Sequence, residues 1–174
     1  SDKAVNLLNS DKTNLELLIT RKVFSKNVAE LYPVMSLQNM LFLLSTQFTL
    51  GLLNHRQVSY HLAEYLSNFI REKSEDFDFG SDHFIGALGS FGAKEMNFSS
   101  DIDLILVFKD LNNYEQTQKA AQDFNNFLNS ELHPFQTDLR LRPEGKSSQL
   151  AWDIDKYKQY LSERAEIWEF QALT

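Results

Sequence analysis

The 174-residue chain contains no cysteine. Disulfides and thiolate metal centres are thereby excluded, and the absence fits a reducing cytoplasm. Long apolar runs are missing too: no segment reaches the roughly eighteen apolar residues that cross a bilayer, and no leader of charged, apolar and small residues opens the chain. The expectation is a cytoplasmic protein with no membrane partner. Basic residues are in short supply, at 17 Lys and Arg against 24 Asp and Glu, for a formal net charge of -7. Nucleic-acid partners demand a basic surface, so this deficit argues against them and for a protein or small-molecule acceptor. The four histidines, His55, His61, His83 and His133, lack metal-ligand spacing with acidic partners and read as structural.

Glycine and proline are also sparse. From Asp11 to Lys73 only Pro33 and Gly51 interrupt the chain, and apolar residues recur at three and four. Leu15, Leu18, Val23, Val28 and Leu31 predict one helix, Leu37, Met40, Leu41, Leu44 and Phe48 a second, and Val58, Leu62, Tyr65, Leu66 and Phe69 a third. This N-terminal helical bundle segment, residues 1–80, is expected to pack on the sheet that follows rather than to dock a substrate. Its acidic tail, with Glu75, Asp76 and Asp78, and Asp82 just beyond, reads as a solvated linker.

Residues 81–174 carry the chemistry. The stretch His83 to Gly92 reads as a strand entering a glycine-rich turn, with a short helix at about Ala93 to Met96. Glycine lets backbone approach a ligand closely, amides at a helix start favour anions, and Ser90 adds a hydroxyl donor. Gly89 and Ser90 are thus candidates for a phosphate cradle. Ile102 to Phe108 reads as a buried strand with Asp101 and Asp103 at its head. Residues two apart on a strand point to the same side, and two carboxylates beside a core repel each other unless a cation sits between them. A hard divalent ion such as magnesium resolves the conflict.

Phe135 to Leu141 alternates apolar and polar residues, so Asp138 shares a face with Arg140 and Arg142. Beside the first strand, Asp138 would complete a triad with Asp101 and Asp103. The two arginines would neutralise phosphate or the carboxylates, and stand with Gly89 and Ser90 as nucleotide-binding candidates. Asn113 to Leu132 and Asp153 to Ser162 read as helices, the latter N-capped by Asp153. The fold expected is α+β of α/β type, a mixed sheet flanked by helices.

Gly-Ser, a spacer, Asp-x-Asp and a later strand aspartate resemble the DNA polymerase β-like nucleotidyltransferase superfamily. The longer run from Gly89 to Ile105, then Asp138 to Ser147, then Trp168-Glu169 with Ala172-Leu173, resembles the glutamine synthetase adenylyltransferase (glutamate-ammonia-ligase adenylyltransferase) family over about residues 84 to 174. The resemblance implies magnesium-dependent transfer of an adenylyl group from ATP to a tyrosine of glutamine synthetase, or its phosphorolytic removal, in regulation of nitrogen assimilation. Asp101 and Asp103 would bridge two ions, and Asp138 would hold the catalytic one. Larger members carry two such domains, one per direction, and a helical regulatory region, so a fragment of a longer protein is expected, with a PII-type protein as a further partner. Asn97 to Asp103 resembles the adenylyl-removing copy and Gln171-Ala172-Leu173 the adenylylating one; the residues around the triad favour removal. Two other readings stand beside this one. One is a nucleotidyltransferase with another protein or small-molecule acceptor, the other a non-catalytic nucleotide-sensing domain.

Overall fold

Helix starts follow capping residues in the sequence. In the computed structural model, which describes residues 27–111, 113–139 and 149–172 without the side chains of Trp168, Gln171 and Ala172, a 3₁₀ segment, Val28–Val34, leads to Ser36. Ser36 accepts from the Asn39 amide and opens α1, Leu37–Thr49. Asn54 opens α2, His55–Ser74, through a reciprocal capping box with Gln57. These are the second and third helices expected from the apolar spacing. The first lies outside the described residues except at its end, where Val28 and Leu31 are buried in 3₁₀ rather than α-helical geometry. Pro33 sits inside that segment, not at its break.

β1, His83–Ala87, runs antiparallel to β2, Ile102–Phe108, with register from His83 opposite Phe108 to Ala87 opposite Leu104. On the other side of β2, β3, Thr137–Asp138, pairs in parallel with its start and β4, Ala151–Asp153, in parallel with its end. A parallel pair needs a crossover, and α4, Tyr114–Glu131, provides it between β2 and β3. A one-turn helix, α3, Gly89–Gly92, joins β1 to the loop before β2, and α5, Ile154–Glu163, and α6, Ile167–Ala172, follow β4. Asp153 caps α5 as expected, accepting from the Asp155 and Lys156 amides. The helices and the small mixed sheet make an α+β fold.

Both faces of β2 are covered, which is why its sequence is a continuous apolar run. Ile102, Leu104, Leu106 and Phe108 enter the main core with Met40 and Leu44 of α1, Leu62 and Leu66 of α2, and Phe124 and Leu128 of α4. The N-terminal helices therefore share one core with the sheet. Ile105 and Val107 point the other way, to Leu88, Trp152, Tyr157 and Tyr160.

Local expectations differ from the structure at three places. The short helix forms at Gly89–Gly92 rather than at Ala93 to Met96, because the Gly92 and Ala93 amides bond the Leu88 and Gly89 carbonyls and Lys94 then turns left-handed, at φ 58°. Strand pairing at β3 begins at Thr137 rather than Phe135, whose amide is held by the Leu132 carbonyl just past α4. The acidic side chains before β1 are exposed, but Phe77 and Phe79 between them pack edge-on against Phe124, at 5.0 and 5.7 Å between ring centres, and anchor the segment to the core. Among the described residues no helix is long and apolar enough to cross a membrane.

Candidate active site

The start of β2 is where the sequence-predicted residues meet. Asp103 lies directly opposite Asp138 in the parallel register, one strand spacing of about 4.8 Å away. Side chains alternate along each strand. Ile102 and Leu104 beside Asp103, and Thr137 and Leu139 beside Asp138, are buried, which turns both aspartates to the opposite face, where each is half-buried. That is the face of Ile105 and Val107, covered farther along by α5. The carboxylates thus stand at the start of that face, before the part that α5 covers.

Asp101 precedes the strand and is exposed. The loop before it is held by local bonds that its polar residues supply: the Asn97 amide donates to Ser100 Oγ at 2.9 Å, and the Ser99 amide to Asn97 Oδ1 at 2.7 Å. The Ile102 amide then reaches the Gln136 carbonyl at 2.8 Å, starting the β3 pairing. Among the described residues no three His, Asp or Glu side chains are already gathered as a metal-holding group. The backbone brings Asp103 and Asp138 together and sets Asp101 next to them along the chain.

The glycine-rich turn is tied to the same point. The Leu88 amide donates to the Asp103 carbonyl at 2.9 Å, so α3 begins one residue beyond a direct bond to β2. Gly89 has φ 54°, in the left-handed region that favours glycine. At Gly92 a β-carbon would stand 2.6 Å from the Ala87 carbonyl oxygen, so the turn folds back on β1 as tightly as backbone allows. Ser90 is half-buried between these two glycines. Arg140 and Arg142, the other nucleotide-binding candidates, lie outside the described residues.

Two pairings are not foreseen in the sequence. Lys94 pairs with Glu64 of α2, Nζ to Oε1 at 2.6 Å, and this bond holds the ammonium above its ordinary range. The second is Glu169, buried at 6% exposure, whose carboxylate oxygens accept the Tyr160 hydroxyl at 2.8 and 2.9 Å and the Glu166 amide at 2.8 Å. This fastens α6 to α5, and burial together with the Glu169 charge pushes the Tyr157 hydroxyl up, leaving it protonated. Both pairs join elements far apart or irregularly spaced in sequence, so no periodicity announces them.

Comparison with known proteins converges on one family. A family model described as glutamate-ammonia ligase adenylyltransferase matches residues 19–174. Among curated proteins, the bifunctional glutamine synthetase adenylyltransferase/adenylyl-removing enzyme of Aromatoleum aromaticum is 40% identical over 93 residues, 51% of this chain and 10% of that protein. The enzyme of the same name from Corynebacterium glutamicum is 38% identical over 112 residues, 64% of this chain and 10% of that protein. The one from Rhodopseudomonas palustris is 29% identical over 165 residues, 79% of this chain and 16% of that protein. The chain therefore spans between 10% and 16% of the length of these relatives.

Proposed function

The chain belongs to the glutamate-ammonia ligase adenylyltransferase family, and on that premise we propose that it is a nucleotidyltransferase domain acting on a tyrosine of glutamine synthetase in the control of nitrogen assimilation. The observation that carries this reading is the in-register pairing of Asp103 with Asp138 beside the Gly89–Ser90 turn. A donor set made only of carboxylate oxygens fits a hard divalent ion. Asp101, Asp103 and Asp138 would hold magnesium, which when bound supplies charge neutralisation on the polyphosphate.

The residues themselves do the positioning. The Gly89–Gly92 turn offers close backbone approach and the Ser90 hydroxyl as a donor to phosphate oxygen. Asp138 faces the acceptor and takes the proton as the tyrosine oxygen attacks the α-phosphorus of ATP, with pyrophosphate leaving. In the removing direction inorganic phosphate attacks the adenylyl phosphorus, the phosphorus–oxygen bond to tyrosine breaks, ADP is formed and the departing tyrosine oxygen regains its proton. Both are in-line displacements in which placement and electrostatics carry the rate. We favour removal, from the resemblance of Asn97 to Asp103. A PII-type regulator and a cytoplasmic setting complete the proposal.

Labelled adenylyl transfer tests it, with purified glutamine synthetase, ATP and magnesium in one arm and adenylylated enzyme with phosphate in the other. Label gained or released by the wild type, and not by Asp101→Asn, supports the reading and assigns the direction. Silence in both arms with ATP binding intact would point to another acceptor or to a sensing domain.

A further inference from the structure

Lys94 is the one non-glycine residue with positive φ among the described residues, at 58°. A β-carbon in that region crowds the following carbonyl, and such a residue persists where its surroundings over-determine it. Its side chain is 45% exposed, so burial is not what holds it there. The backbone bonds that close α3 set that conformation, and two residues of α2 hold the side chain that projects from it. The Lys94 ammonium lies 2.6 Å from Glu64 Oε1 and 5.0 Å from the centre of the Tyr60 ring, four residues earlier on the same helix face. On the other side the backbone leads straight to the phosphate turn. The Lys94 amide donates to the Phe91 carbonyl at 3.1 Å, and the next amide, that of Glu95, to the Ser90 carbonyl at 2.8 Å.

We propose that Glu64 and Tyr60 of α2, by gripping Lys94, position the Gly89–Ser90 turn for the nucleotide. This rests on the proposed nucleotidyltransferase reading. Lys94 and Glu64 are positioning residues that act through the turn. The helical segment thereby becomes part of the nucleotide site rather than packing alone. An ion pair this exposed contributes little to global stability. Its loss belongs in nucleotide affinity, with the fold left in place.

The experiment is a calorimetric titration of the 174-residue chain with ATP and magnesium, each variant checked by circular dichroism and thermal melting. Glu64→Gln and Lys94→Met are expected to weaken ATP binding by about fivefold, the factor that accompanies a modest loss of pre-organisation, with melting temperatures near wild type. Lys94→Arg, which keeps the charge, is expected to retain affinity within about twofold. In a Ser90→Ala background, Glu64→Gln is expected to add little, because both changes act on one turn. Unchanged affinity in both single variants would overturn the clasp, as would a loss that persists undiminished in the Ser90→Ala background. So would an equal loss in Lys94→Arg and Lys94→Met. A wild type that binds no nucleotide would instead overturn the proposed function itself.

Discussion

Asp103 and Asp138 are register partners on adjacent parallel strands, each flanked by buried residues that turn it to the same face. Two carboxylates one strand spacing apart form a donor set that a divalent cation can share. Asp103→Asn and Asp138→Asn should each lower adenylyl transfer or removal by roughly two or more orders of magnitude, a loss far larger than any accompanying change in stability. Label transfer rates measured beside thermal melts check this; equal losses of stability and activity would argue for a packing role.

The turn at Gly89–Gly92 admits no side chain at its closing position. Gly92→Ala would press a methyl onto the Ala87 carbonyl 2.6 Å away, and backbone cannot rotate aside as a side chain can. A loss of about 1–3 kcal/mol in urea unfolding is expected, with weaker ATP binding. Gly89→Ala, at φ 54°, should cost about 1–2 kcal/mol through backbone conformation alone.

Glu169 is buried with the Tyr160 hydroxyl and the Glu166 amide as donors. Tyr160→Phe removes one donor and leaves the carboxylate short of a partner, at an expected cost of about 1.5–3 kcal/mol. In Glu169→Gln the same tyrosine change should cost less, since the buried charge is gone. Equal costs in the two backgrounds, measured by denaturant unfolding, would show that the two groups act independently.

Acid sensitivity should come in part from His61. Burial holds its imidazole below the ordinary 6.5, with the Glu64 charge opposing in part, and the ring shares a 2.7 Å hydrogen bond with the Tyr32 hydroxyl. The unfolded chain therefore takes up the proton first. Its stabilising contribution is fully present above pH 6.5 and is lost as pH falls through that value toward the lower folded one. His61→Gln should flatten the stability profile between about pH 7 and 5, read as melting temperature against pH.

Much of this architecture is written locally. The β2 run, the caps Asn54 and Asp153, and the alternation of buried Phe135, Thr137 and Leu139 with polar Gln136 and Asp138 follow from propensity and period. The strand β4 is less legible: its three residues are recruited by Gln118 of α4, whose amide bonds the Leu150 amide and the Ala151 carbonyl at 2.9 Å. A strand that short has no period of its own to read.

By itself the sequence determined which residues could do chemistry: two aspartates at the head of one strand, a third within a later one, and a Gly-Ser turn before them. Side-chain type and alternation are local properties, set by a few neighbouring bonds. Only the tertiary structure decided that Asp138 stands opposite Asp103, that the Leu88 amide ties the turn to that same residue, and that Glu64 reaches Lys94 from a separate helix. Those are pairings between segments far apart in the chain, and what selects them is the burial of both faces of β2, a property of the assembled core.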